Sequence, residues 1–370
     1  MPEIQDVFTR FQPIKLSPSQ HKAVAAIAAC RTETLGTHAD RCCDCHHIEF
    51  SYNSCRNRHC PKCQGSKQTE WIEAQAERLL PMNYFHIVFT LPDSLKPLVY
   101  QNQKLLYSLL MKCAAETLME AAAHLGNLGA QIGVTVVLHT WGQNLSLHPH
   151  VHCIVPGGGL SLDGHRLIRS GKRFLVHVKK LSRTFRGKFL YHLEKAWCSG
   201  KLSFFNETQM LADDLHFRNL TSSLRAKEWV VYSKAPFRNP GHVIQYLGRY
   251  THRVAIANSR ILEVTDDHVT FRWKDYKDGN RVKTMTLALR EFARRFLLHV
   301  LPTGFMKIRH YGLFASANAK TKLATCKRLI GMLGSVFLRP MSPRQKACSI
   351  CGGPTVFLGL CSRSATPGSP

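Results

Sequence analysis

Seven of the chain's fourteen cysteines fall between Cys30 and Cys63, in a stretch rich in His and Arg and poor in hydrophobic periodicity. Such a stretch is too polar to bury a core of its own, so its order must come from something other than apolar packing. Two CxxC knuckles, Cys42-x-x-Cys45 and Cys60-x-x-Cys63, stand fourteen residues apart. Four thiolates at that spacing can close a tetrahedron around zinc. The other use of clustered cysteines, a disulfide scaffold, belongs to oxidising compartments. Met1 to Leu16 carries early acidic residues and lacks the apolar stretch of a signal peptide. No apolar run reaches the length of a membrane span, so a cytoplasmic chain with no membrane partner is expected. Within the cluster, Cys43, Cys30, Cys55, His38 and His59 leave open an exchange of one ligand or a second, shared ion. Cys348-x-x-Cys351 is half of another such site, with Cys361 the one thiol after it. A plain surface pair is the alternative there.

Charge points to the partner. Lys and Arg number 50 against 24 Asp and Glu, a formal balance of +26. Basic side chains displace condensed counterions from phosphates, so a polyanion such as DNA is the simplest partner. Arg56 and Arg58 lie within the cysteine cluster, and residues 166–188 hold nine Lys or Arg and no acid, among them Lys172, Arg173, Lys179 and Lys180. These side chains, with Arg249 further on, are the expected DNA contacts. The aromatics Phe174, Phe185, Phe189 and Tyr191 either stack on unpaired bases or belong to the core.

Patterning predicts a short helix over 17–29, a helix over 65–80, a strand from Tyr84 to Leu91, and one or two helices over 95–125. Further strands are expected at Ile132–His139, His148–Val155 and Trp229–Ser233, and a basic amphipathic helix over 288–300. Between Val254 and Leu287 antiparallel strands are expected around an Asp278-Gly-Asn280 turn. In the strand from His148, alternate side chains share a face, so His148, His150 and His152 point one way while Val151, Cys153 and Val155 point the other. Neutral imidazoles so placed can lean onto one cation. Gln143, Asn144, His242 and Gln245 are candidates for a third ligand. Asn239-Pro240 opens a helix in good capping form. At 100° per residue it carries Tyr246 and Tyr250 on or beside its polar side. A tyrosine hydroxyl can attack a phosphodiester whose phosphate a cation polarises.

The segments Ser54-Cys-Arg-Asn-Arg-His-Cys-Pro-Lys-Cys63, Tyr84-Phe-His-Ile-Val-Phe-Thr-Leu-Pro92, Leu147-His-Pro-His-Val-His-Cys-Ile-Val-Pro-Gly-Gly-Gly159 and Tyr246-Leu-Gly-Arg-Tyr-Thr-His-Arg253, together with Cys30-Arg-Thr32, span most of the chain. The sequence thereby resembles the two-tyrosine HUH transposases of bacterial insertion sequences, insertion-sequence family ninety-one. The resemblance implies an α+β fold, an antiparallel sheet flanked by helices and preceded by a small zinc-binding domain. It puts the His–hydrophobic–His motif on His150, Val151 and His152, and the paired nucleophiles on Tyr246 and Tyr250. It implies Mg²⁺ or Mn²⁺ at the histidine pair, with Zn²⁺ expected at Cys42, Cys45, Cys60 and Cys63. The expected partners are single-stranded transposon ends and target DNA in the bacterial cytosol. The expected reaction nicks and joins one strand through a 5′-phosphotyrosine, as in rolling-circle transposition. A non-catalytic zinc-containing nucleic-acid-binding protein and a rolling-circle replication initiator are the competing readings. The expected division is a zinc domain over 1–80, a catalytic domain over 81–340, and a loose tail over 341–370.

Overall fold

The computed structural model describes the chain apart from residues 13–14, 64–71, 73–74, 76–77, 172–175, 238–242, 244–247, 249–253, 277, 332–345 and 362–370. In chain order its strands are β1 (Thr37–Cys42), β2 (Ile48–Tyr52), β3 (Tyr84–Thr90), β4 (Ala130–Gln131), β5 (Gly133–Trp141), β6 (Leu147–Pro156) and β7 (Gly158–Ser161). They continue with β8 (Leu167–Arg169), β9 (Val231–Phe237), β10 (Ile261–Val264), β11 (His268–Asp275), β12 (Arg281–Ala288), β13 (Ile308–Gly312) and β14 (Thr355–Cys361). Every pairing between these strands is antiparallel. The fold is α+β, as the sequence predicts.

The central sheet has five strands in the order β13-β5-β6-β3-β9. Its two faces follow from the period of two in each strand. Phe85, Ile87 and Phe89 of β3, Val134, Val136 and Leu138 of β5, and Val151, Cys153 and Val155 of β6 belong to one buried core. The helices Gln103–Ala123 and Val178–Cys198 pack together and cover this face. Phe185 lies 4.9 Å from Phe89 and 5.5 Å from Trp229, centroid to centroid. Phe185 and Phe189 are therefore core residues; burying each contributes roughly 2–3 kcal/mol. Of the two readings left open for them, core or base stacking, the core reading holds. Tyr191, one turn on from Gly187, is exposed.

The remaining side chains of the same strands, among them His86, His139, His150 and His152, form the opposite face. Part of it is closed by a second cluster that includes Tyr84, Ile154, Leu160, Phe314 and Val243. Val243 and Gly248 are helical and buried. Tyr246, Tyr250, Arg249, His242 and Gln245 lie outside the described residues, as does most of the expected 65–80 helix.

A third core binds the chain's first residues to its later ones. Ile4, Val7 and Phe8 of α1 (Ile4–Arg10) and Ala23 and Ile27 of α2 (Pro18–Ala28) are buried with Phe271, Phe292 and Phe296. α2 starts where expected, with the Ser17 side chain accepting from Gln20 N and Pro18 in the first turn. Sheet β10-β11-β12 and the Leu289–Leu297 helix supply the other half of this core. The Asp278–Asn280 turn is formed with Gly279 at φ 56° and Asn280 at φ 67°, the left-handed pair that a tight hairpin turn requires. Packing therefore does not break at residue 80, where a domain boundary was expected.

The end of the chain folds back as well. β14 pairs with β1 from Thr37↔Cys361 to Cys42↔Thr355 and completes the sheet β14-β1-β2. The expectation of a loose tail from 341 is thus corrected for residues 346–361. Its Pro, Gly and Ser content hid a strand whose partner lies at the other end of the sequence.

Candidate functional site

The hairpin of β5 and β6 builds the first site. Its turn holds Gly142 N on Ser146 O at 2.9 Å and Leu145 N on Gly142 O at 3.1 Å. Leu145 takes φ 63°, a left-handed conformation that costs a side-chain-bearing residue about 1–2 kcal/mol. Its side chain is fully buried in the third core, and its carbonyl accepts from His299 Nε2 at 3.1 Å. The turn fixes a register in which His139 of β5 stands opposite His150 of β6. Directly opposed residues of an antiparallel pair face the same way. Three imidazoles, from His139, His150 and His152, consequently converge, with one ring nitrogen of each within 4.8 Å of the others.

The surroundings of the rings decide which nitrogens can ligate. His150 Nδ1 donates to the His148 carbonyl at 2.7 Å, so its Nε2 keeps the lone pair. Burial lowers the His150 pKa to about 4, so the ring is neutral at physiological pH. His152 Nδ1 lies 2.8 Å from Nε2 of His86, a buried ring stacked nearly parallel at 5.0 Å. With the Nδ1 proton of His152 on that bond, its Nε2 too is a lone-pair donor. Neutral, oriented imidazoles are the donor set of a borderline divalent transition ion. The expected pair His150 and His152 is brought together, and His139 is the third group. Gln143 and Asn144 are used otherwise: Gln143 Nε2 donates to Tyr276 and Asn144 Oδ1 accepts from Ser146 N.

The cysteines divide into two groups of four, which corrects the expectation that Cys42, Cys45, Cys60 and Cys63 share one ion. Cys60 and Cys63 are joined by Cys30 and Cys55, while Cys42 and Cys45 meet Cys348 and Cys351. In the first group Cys63 Sγ lies 3.5 Å from Cys30 and 3.6 Å from Cys55, and Cys60 lies 3.6 Å from Cys30. Zinc–sulfur bonds of about 2.3 Å give tetrahedral edges of about 3.8 Å, and disulfide sulfurs sit at about 2.05 Å. The spacing is that of metal ligands. The physical reason for the regrouping is packing: Cys30, at the end of α2, is carried by that helix into the third core beside Cys60 and Cys63. His38 and His59 are occupied elsewhere, on Asn53 and Leu301 N.

The basic residues separate by role. Arg58 turns inward, donating to the carbonyls of Phe305 at 2.5 Å and Pro302 at 2.8 Å. It fastens the cysteine module to the chain beyond the Leu289–Leu297 helix, and its expected place among DNA contacts is corrected accordingly. Arg56 is exposed and lines a broad groove with Arg31, Phe50, Tyr52, Phe357 and Lys346. Lys179 and Lys180 are exposed in the first turn of the Val178–Cys198 helix, and Lys172 and Arg173 lie outside the described residues.

Residues 133–322 match a family described as "Putative transposase", and residues 3–91 match the "Transposase zinc-binding domain" of IS91-type elements. A protein of Sinorhizobium fredii named "Putative transposase y4qJ" is 49% identical over 90% of this chain and 85% of its own length. The "Transposase for insertion sequence element IS801" of Pseudomonas savastanoi pv. phaseolicola is 30% identical over 80% of this chain and 70% of its own.

The chain belongs to the IS91-type transposases.

No solved structure matches it. The transposase matches the zinc-binding family across α1, α2 and the first cysteine group, whose four members all lie within residues 3–91. A transposase acts on DNA, which accounts for the basic balance of the chain. No helix among the described residues is long and apolar enough to cross a membrane. Sequence reasoning missed His139 and His86 as members of these groups, and it named Cys30 and Cys55 among several possible ligands without assigning them. The signal for His139 was its position opposite His150 across a five-residue connection, once a hairpin register is assumed.

Proposed function

We propose that this transposase nicks and rejoins single-stranded DNA at transposon ends, with Tyr246 and Tyr250 as nucleophiles and a divalent ion on His139, His150 and His152. The observation that supports this reading is the convergence of three imidazoles, two of them oriented by hydrogen bonds, on one sheet face in a chain of a DNA-processing family. When bound, the ion supplies a Lewis acid for a phosphodiester oxygen. Three nitrogen donors suit Mn²⁺ better than Mg²⁺, which prefers oxygen ligands and keeps its waters. One tyrosine hydroxyl attacks phosphorus, the bond to the 3′ oxygen breaks, the phenolic proton is lost, and a 3′-hydroxyl leaves. The 5′-phosphotyrosine conserves the bond, and attack by another 3′-hydroxyl releases the tyrosine and rejoins the strand. Two tyrosines allow one end to be held while a second is cut, as rolling-circle transposition in the bacterial cytosol requires. The zinc of the N-terminal domain is assigned to Cys30, Cys55, Cys60 and Cys63. Arg31 and Arg56 beside the exposed rings of Phe50 and Tyr52 form a surface suited to unpaired bases and their phosphates.

The test is to incubate the full chain with Mn²⁺ and single-stranded DNA from the flanks of its coding region. A covalent adduct that maps to Tyr246 or Tyr250 by mass spectrometry is expected. Tyr246→Phe combined with Tyr250→Phe is expected to abolish it while DNA binding persists. An adduct that survives in the double variant overturns the assignment.

A further inference from the structure

The second cysteine group has no part in the reaction above and reaches beyond the zinc-binding domain of residues 3–91, since two of its members are Cys348 and Cys351. Cys42 Sγ lies 3.4 Å from Cys351 Sγ, and Cys45 Sγ lies 3.7 Å from Cys348 Sγ. These distances are far too long for disulfides and close to the tetrahedral edge of a four-thiolate zinc site.

The two halves of the group are built alike. Asp44 N and Cys45 N point at Cys42 Sγ, at 3.4 and 3.5 Å. On the other half, Ile350 N points at Cys348 Sγ and Gly353 N at Cys351 Sγ, both at 3.4 Å. Backbone N–H groups aimed at sulfur favour the thiolate, the form that binds metal. The residue after each second cysteine is left-handed, His46 at φ 56° and Gly352 at φ 76°. Each chain thus reverses tightly behind its CxxC and presents both sulfurs on one side. The halves are also laced together without any metal. Cys43 N donates to Pro354 O at 2.9 Å, β14 runs along β1, and Lys346 bridges Asp40 and Glu49 at 3.2 and 3.4 Å. Two knuckles about 300 residues apart in sequence are thereby held face to face.

We propose that Cys42, Cys45, Cys348 and Cys351 bind a structural zinc ion of their own, which clasps the C-terminal segment to the N-terminal module. The site is distinct from the Cys30, Cys55, Cys60 and Cys63 group and does not depend on the tyrosine chemistry. Tetrahedral four-sulfur sites suit zinc, and no position is left for substrate.

The test counts metal in the full chain, purified without chelator from zinc-supplemented cells. Cys348→Ser with Cys351→Ser is expected to carry one zinc fewer than the parent chain by native mass spectrometry. Cys351→His, which keeps a ligand, is expected to retain the parent count. An unchanged count in the double serine variant overturns the proposal, as does a Cys42–Cys351 or Cys45–Cys348 disulfide in non-reducing peptide maps. If the serine variant fails to fold, cobalt exchange into the parent chain decides. Charge-transfer absorption from eight thiolates supports two four-sulfur sites, and absorption from four refutes the second.

Discussion

Removing His86 is the sharpest probe of the histidine face, because His86 stands behind the imidazole trio without belonging to it. Its Nε2 lies 2.8 Å from His152 Nδ1, both rings are buried, and they stack within 5° of parallel. His86→Leu leaves the His152 Nδ1 proton without this acceptor, and the loss of such a buried bond costs about 1–3 kcal/mol. The ring is then free to rotate or to move its proton to Nε2, where it blocks ligation. Groups behind metal-bound histidines are worth about 10–100-fold in metal affinity, or about 1.4–2.7 kcal/mol. The assay is Mn²⁺ titration of the full chain, read as free Mn²⁺ by electron paramagnetic resonance, for the parent, His86→Leu, His86→Gln and His148→Ala. His86→Leu is expected to weaken binding by that factor, and His86→Gln, which retains an acceptor, by less. His148 lies outside the trio, so His148→Ala is expected to bind as the parent does. Unaltered affinity in His86→Leu, or an equal loss in His148→Ala, refutes the positioning role.

Three further outcomes follow from the packing and charge. A Cβ at Gly159 would lie 2.0 Å from the Gln131 carbonyl oxygen and 2.8 Å from its carbon, so Gly159→Ala must push β4 from β7. A loss of about 2–3 kcal/mol or more in urea unfolding is expected, and parent-like stability would show that the strands can separate freely. Burial lowers the His299 pKa to about 4, below its unfolded value near 6.5. The unfolded chain then binds the extra proton between those limits, so this contribution is full above pH 6.5 and is lost as pH falls to 4. It amounts to about 3 kcal/mol, and His299→Gln is expected to flatten the fall of the urea midpoint across that window; an identical slope contradicts it. Lys179→Glu with Lys180→Glu is expected to weaken single-stranded DNA binding by fluorescence anisotropy and lower the slope of log K against log salt by about 1.4. A slope that does not change removes these lysines from the interface.

Legibility in the sequence followed the range of the interactions. Strict alternation around His150 and His152 revealed their shared face, because the period of a strand is local. His139 was not read as their partner, since the register that brings it in depends on a buried leucine held at left-handed φ in the turn, which no pattern of neighbours announces. The knuckles Cys42-x-x-Cys45 and Cys60-x-x-Cys63 read as metal ligands in kind, but their partners come from the helix end at Cys30 with Cys55, and from the Cys348–Cys351 turn far along the chain. Spacing marks Cys348-x-x-Cys351 as half of a site but does not say which knuckle it joins, nor that Cys30 and Cys55 complete the other. Arg58 reads from the sequence as a surface charge, because a basic residue in a basic segment looks solvated. The carbonyls of Pro302 and Phe305 that hold it lie far away in sequence. Phe185 and Phe189 left two readings open until the helix that carries them was seen against β3 and Trp229.

The closing strand of the N-terminal sheet also imposes an order on biosynthesis. β1 leaves the ribosome with β2 at one edge, while the strand for its other edge is translated about 300 residues later. At 5–20 residues per second that delay is about 15–60 s. During it a bare strand edge is open to wrong partners, including neighbouring nascent chains. Gene copies truncated ahead of residue 355 would keep that edge permanently, even with the histidine strand and both tyrosine codons intact. Such fragments are expected to aggregate or be degraded.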